Sequence, residues 1–430
     1  MELSAKQIKR SLMLICVIFF VFGFATWINA TLIPYFKIAC ELSNFESYLV
    51  AFAFYISYLL VSVPSSFLLR RIGFKNGMAI GFMLMASGAF IFIPAAYMRS
   101  YPVFLLGLFI IGIGLAILQT AVNPYVTILG PRERAAQRIS IMGICNKAAG
   151  IIAPLLLAAV IIRTGDKTLF AQISSMPLIQ KNATLDMLLQ RLIAPYALVG
   201  CVLTLLAILV RFSSLPEIEQ DKTADTAAGQ AKAGILKYPH VVLGAFAIFF
   251  HVGSQIIAVD SIVNYGQSWG LTFVQAKVFP SYTLFATICG YLLGISLIPK
   301  VISQLTALRI CTMLGVILSV LVVNVGGRVM WLGHDTDVSI WLLVSLGFAN
   351  SMIWAGIWPL AMDDLGDKLK TGASLLIMGL SGNAVMPLIY GAIADSHGLQ
   401  KAYWVLLPCY LYLVFYAFYG YRLRRWTKPV

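Results

Sequence analysis

Gln119 and Asn123 stand one helical turn apart inside an apolar run that begins near Tyr101 and ends at Gly130 and Pro131. A spacing of four puts both amides on one face of a helix. A side-chain amide buried without partners costs a few kcal/mol. The pair therefore either bonds neighbouring helices or lines a wet path for a polar, uncharged solute. Neutral donors and acceptors recur in other apolar runs at Asn29, Asn146, Gln255, Asn264, Asn350 and Asn383. Trp27, Trp354 and Trp358 add flat apolar faces, the last two spaced by four on the same run as Asn350. A hexose presents a ring of hydroxyls and two C–H faces, and amides with indoles match both. Helix packing competes with this reading for each asparagine, and interfacial anchoring for each tryptophan.

Titratable groups inside apolar runs are few. Asp260 is the lone carboxylate well within hydrocarbon, about 9 Å by helix rise from the outer end of its run. An acid so placed either couples a cation to solute movement or belongs to a structural ion pair. His251, nine residues earlier, is a second coupling candidate. Lys147 lies roughly 12 Å in from the other side of the bilayer, positioned to pair with an acid or to hydrogen-bond a sugar hydroxyl. From that depth, snorkelling to the interface is hard.

Composition sets the class to which these residues belong. With 430 residues, 60% hydrophobic, 11% charged and a mean hydropathy of +0.88, the chain is a polytopic membrane protein. Seven scattered cysteines without ligand spacing indicate neither zinc nor a disulfide framework. The net charge of +14 sits in short basic clusters between apolar runs, the pattern of topology rather than of nucleic-acid binding. No phosphate-cradling loop, nucleophile elbow or metal-ligand cluster is present, which disfavours ATP-driven pumping and catalysis and implies no cofactor.

Runs long enough to cross about 30 Å of hydrocarbon lie near residues 11–36, 48–69, 77–98, 101–129, 139–163 and 194–212, then near 239–266, 279–299, 304–325, 338–362, 373–394 and 402–423. The first is too long for a signal-peptide core and is expected to be retained. Twelve spans in two groups of six give an N-terminal bundle over 1–212, a polar linker over 213–238 and a C-terminal bundle over 239–430. Lys6, Lys9 and Arg10 fall on the same side as Arg70, Arg71 and Lys75, as Arg132 and Arg134, and as Arg422, Arg424 and Arg425. That side is cytoplasmic, with both termini on it, in a multi-pass protein of the cell (inner) membrane.

The two groups read as copies. Ile141-Met142-Gly143 with Lys147-Ala148 beyond matches Ile377-Met378-Gly379 with Asn383-Ala384 beyond, at an offset of 236. A repeat of half the chain length implies duplication and two pseudo-symmetric six-helix bundles, with a solute site expected between them at mid-depth.

Three stretches carry a resemblance. Asn123-Pro124-Tyr125-Val126-Thr127-Ile128-Leu129-Gly130-Pro131-Arg132-Glu133, Leu32-Ile33-Pro34-Tyr35-Phe36, and Asn350-Ser351 followed by Lys370-Thr371-Gly372-Ala373-Ser374 and Pro387 are similar to segments of the fucose–galactose–glucose:proton symporter family of the major facilitator superfamily. The form Gln119-Thr120-Ala121-Val122-Asn123-Pro124 resembles its glucose/galactose and N-acetylglucosamine members most. The resemblance implies an all-α membrane protein with the major facilitator fold and alternating access. It also implies two carboxylates in the first half, where this chain has Ala30 and Gln119. Neither residue titrates, which removes that route of proton coupling. The expected function is import of a neutral monosaccharide, glucose or galactose, by a monomer coupled to a proton or sodium. A fucose or N-acetylglucosamine carrier, a uniporter and a non-transporting sugar sensor are the alternatives.

Overall fold

A computed structural model describes residues 5–128, 135–163, 166–213, 234–298, 301–365 and 369–426. Among the described residues, twelve helices are long and apolar enough to cross a membrane: α1 (Ser11–Ala39), α2 (Asn44–Ser65), α3 (Arg71–Tyr97), α4 (Tyr101–Val122), α5 (Ile141–Ile161), α6 (Leu178–Phe212), α7 (Pro239–Asp260), α8 (Phe273–Leu297), α9 (Gln304–Asn324), α10 (Val338–Met362), α11 (Ser374–His397) and α12 (Leu399–Phe418). The sequence places all twelve, with ends shifted by a few residues except at α6, which starts 16 residues earlier than the run expected at 194–212. In hydrocarbon a helix satisfies its own backbone, which is why runs of this length take no other form. Large side chains such as Leu156, Leu205, Phe246 and Ile317 stand exposed on them, as lipid-facing helices require.

The chain forms two compact units, one of residues 1–42 and 49–220, the other of 43–48 and 221–430. Most of the expected linker, residues 214–233, lies outside the described residues, as does the basic turn at 129–134. In the first unit α2 runs into α3 through Gly73, whose φ of 79° breaks the helix. Lys75 in this turn donates from Nζ to the Ser213 carbonyl at 2.6 Å, at the C-cap of α6. A cation there meets the partial negative charge of a helix end. Elsewhere in this unit, Arg191 pairs with Asp166 through Nη1 and Nη2, and Asp166 also accepts the Arg163 amide at 2.8 Å.

Among the described residues, one element departs from the all-α expectation. Between α9 and α10, β1 (Arg328–Trp331) pairs antiparallel with β2 (His334–Asp337). Its two-residue turn, Leu332 and Gly333, has φ of 47° and 78°, the positive values that let a tight hairpin follow the strand twist. Asp337 ends the hairpin and starts α10, accepting the amides of Gly327 and Ser339 at 2.8 Å each. In the same unit the chain end is tied back. Arg424 pairs with Asp363 at 2.6 Å, and the Trp426 indole donates to the Leu236 carbonyl at 2.6 Å.

Candidate solute-binding site

In the first unit the polar residues gather where α1 is interrupted. The helix breaks at Ile28, between Trp27 and Asn29. Trp27 donates its indole N–H to Asn146 Oδ1 at 3.4 Å, and the Lys147 ammonium stands 4.1 Å from its ring centroid. Lys147 is 8% exposed and Trp27 3%, so the indole face is turned to the lysine rather than to open space. Asn146 Nδ2 reaches the Phe19 carbonyl at 3.5 Å. α1 and α5 approach closely here, for a Cβ on Gly23 would fall 2.0 Å from the Asn146 carbonyl oxygen. Asn29 is fully buried, with both side-chain polar atoms unpartnered among the described residues. Gln119 donates to the Tyr58 hydroxyl at 2.9 Å, and Tyr58 stacks beside Tyr55. The side chain of Asn123 lies outside the described residues.

The second unit holds the rest. Asn350 Oδ1 accepts from the Tyr410 hydroxyl at 3.0 Å, while its Nδ2 has no partner among the described residues. The Asn264 Nδ2 and Asn383 Oδ1 atoms are likewise buried without a described partner. Gln255 is half-buried on α7 and His251 is buried on the same helix. Trp354 and Trp358 stack at 5.5 Å and 22°, both half-buried. Asp260 closes α7 with no exposed surface, and neither carboxylate oxygen is hydrogen-bonded among the described residues. A charge so placed is expensive unless a proton or a cation accompanies it.

Within the first unit, Trp27, Asn146 and Lys147 form one cluster and Gln119 belongs to a second contact with Tyr58. Sequence reasoning overlooked the tyrosines. Tyr58 and Tyr410 orient two of the candidate amides, and the one local signal for either is the i, i+3 pair of Tyr55 and Tyr58 on α2. Buried amides with spare donors and acceptors can bind hydroxyls of a neutral solute, each bond being worth about 1 kcal/mol net. The described residues contain no group of three or more potential metal ligands.

Comparison with known proteins fixes the family. The model of the Major Facilitator Superfamily matches residues 15–382. A glucose/galactose transporter of Brucella abortus biovar 1 (strain 9-941) is 31% identical over 97% of this chain and 95% of its own. The L-fucose-proton symporter of Escherichia coli (strain K12) is 26% identical over 95% of this chain and 92% of its own. A crystal structure of the transporter FucP in the outward conformation superposes with a TM-score of 0.73 at 25% identity, covering 98% of this chain and 100% of that one. With a family model spanning most of its length and a full-length relative above 30% identity, the chain belongs to the major facilitator superfamily.

Proposed function

We propose that this protein is a secondary active carrier that imports a neutral monosaccharide, glucose or galactose, in symport with a proton. The observation that carries the reading is the full-length relation to a glucose/galactose transporter, and the relation to a fucose-proton symporter supports the proton as the coupled ion. Asn29, Gln119, Asn123, Asn146, Lys147, Gln255, Asn264, Asn350, Trp354 and Asn383 are the residues assigned to the sugar. Coupling is assigned to Asp260, with His251 as its second group, since the first unit lacks a carboxylate at Ala30 and Gln119.

The remaining organisation belongs to the same reading. The protein works as a monomer in the lipid of the inner membrane and carries out no covalent chemistry. Both termini and the 213–238 linker face the cytoplasm, joining bundles of residues 1–212 and 239–430. The ends of α1, α7 and α11 remote from the termini therefore face outward. Counterflow in proteoliposomes tests the assignment. Preloaded glucose or galactose is expected to drive entry of labelled sugar, and an inward proton gradient to drive its accumulation. A panel of hexoses that gives no counterflow at all overturns the carrier.

A further inference from the structure

An acid that exchanges its proton with one side of a membrane needs a path to that side and a means of closing it. Closure over Asp260 presupposes the coupling role proposed for that residue. Tyr48, in the first turns of α2, is fully buried. Next to Asp260, Ser261 shares a 2.7 Å hydrogen bond with the Tyr403 hydroxyl. The Tyr48 ring meets Tyr390 edge-on at 5.6 Å and 85°. From Tyr390 the rings continue to Tyr403 at 4.9 Å and to Tyr265 at 5.1 Å. Tyr265 lines a cavity of about 420 Å³ together with Trp269 and Gln400. A row of tyrosines thus runs from that cavity past Ser261, the neighbour of Asp260, to Tyr48.

The turn that carries Tyr48 is tied to α11 by a carboxylate. Asp395, near the end of α11, accepts from the Asn44 backbone N–H at 2.9 Å and from Asn44 Nδ2 at 2.7 Å, and its other oxygen accepts the Phe45 N–H at 2.8 Å. The first amides of a helix have no partner within it and carry partial positive charge, which makes a carboxylate their best mate. The mate here comes from a helix about 350 positions along the chain. Gly391, one turn before Asp395, leaves the room. A Cβ there would stand 2.8 Å from the Tyr48 ring and 3.0 Å from the Phe45 Cα.

We propose that Tyr48 is a removable plug over Asp260, locked by Asp395, and that withdrawal of the Asn44–Tyr48 turn opens Asp260 to outer water. The plug is steric: the ring fills the way, and the lock is the carboxylate on the helix end.

Accessibility decides it. In the full chain carrying D260C, expressed in whole cells, position 260 is treated with a membrane-impermeant cationic methanethiosulfonate. Modification is read by peptide mass spectrometry, so the native cysteines do not interfere. Adding Y48A or D395A is expected to speed modification by about tenfold or more, the scale of losing a few charge-assisted hydrogen bonds or the ring itself. Y48F keeps the ring and is expected to match the D260C parent. Equal rates in D260C, D260C/Y48A and D260C/D395A overturn the plug, and so does a rise in Y48F as large as that in Y48A. The coupling role is read separately from sugar accumulation by D260N. Retained accumulation sinks that role, while the labelling still decides whether Tyr48 closes the position.

Discussion

The two units cross their helices at matching places and put different chemistry there. Asn146 and Gly382 stand 236 residues apart, the offset of the internal repeat. At Asn146, α1 supplies the glycine, Gly23, that lets the helices close. At Gly382, α11 supplies it, and a Cβ there would fall 1.9 Å from the Phe249 carbonyl of α7. Duplication has therefore kept the crossing and exchanged the side that yields. The next residue is Lys147 in the first unit and Asn383 in the second. One half carries a buried cation over an indole, the other a neutral amide with an oxygen unmatched among the described residues and, at the end of α7, a carboxylate likewise unmatched. Symmetry of backbone without symmetry of charge is what a carrier needs if one half responds to an ion and the other chiefly to a solute.

Six substitutions break or sharpen that contrast. The largest effect is expected for D260N, which removes the carboxylate confined to the second unit. Uphill accumulation of labelled sugar should collapse toward the external concentration while counterflow persists, and accumulation at the parent level locates coupling elsewhere. Next is K147N, which makes the first unit like the second. Loss of a hydrogen bond from a charged donor is worth about 1.5–3 kcal/mol, so the KM for sugar should rise about tenfold to a hundredfold, with accumulation at saturating sugar retained. If accumulation falls instead, the lysine serves coupling and the division of labour fails.

The crossings themselves come third. G23A and G382A each force a methyl into a backbone carbonyl, and overpacking of this kind costs about 1–3 kcal/mol. Thermal unfolding in detergent should fall for both, by similar amounts if the two contacts are equivalent; an unchanged melting temperature in either shows that its crossing is loose. Smallest is Y410F, which frees Asn350 Oδ1. A net loss near 1 kcal/mol predicts a rise of about fivefold in KM, and the same change from the pairing partner of Gln119, Y58F, would place both amides on an equal footing.

The helices were legible because apolar length in this solvent leaves a chain one option, and the connections could be read from where that length runs out. The start of α2 was not. Asn44, Phe45, Glu46 and Ser47 are too polar to extend an apolar run, and the carboxylate that ends the exposed amides, Asp395, is remote in sequence. The hairpin was missed for a related reason: Leu332 takes a positive φ that a leucine does not announce. Candidate amides could be picked by type, since Asn350 and Gln119 are polar where polarity is costly. Their tyrosine partners, 60 and 61 residues away, carry no local mark that separates them from other aromatic residues of the spans. Lys147 could be flagged for depth, but its seat on Trp27 depends on how tightly α1 closes on α5.

That seat has an optical consequence. An ammonium 4.1 Å from the ring centroid perturbs the excited state of the Trp27 indole, so a hydroxylated guest that draws the lysine aside changes the emission of one tryptophan among eight. Under the role in sugar binding proposed for Lys147, occupancy is readable as the part of the fluorescence change that vanishes in W27F.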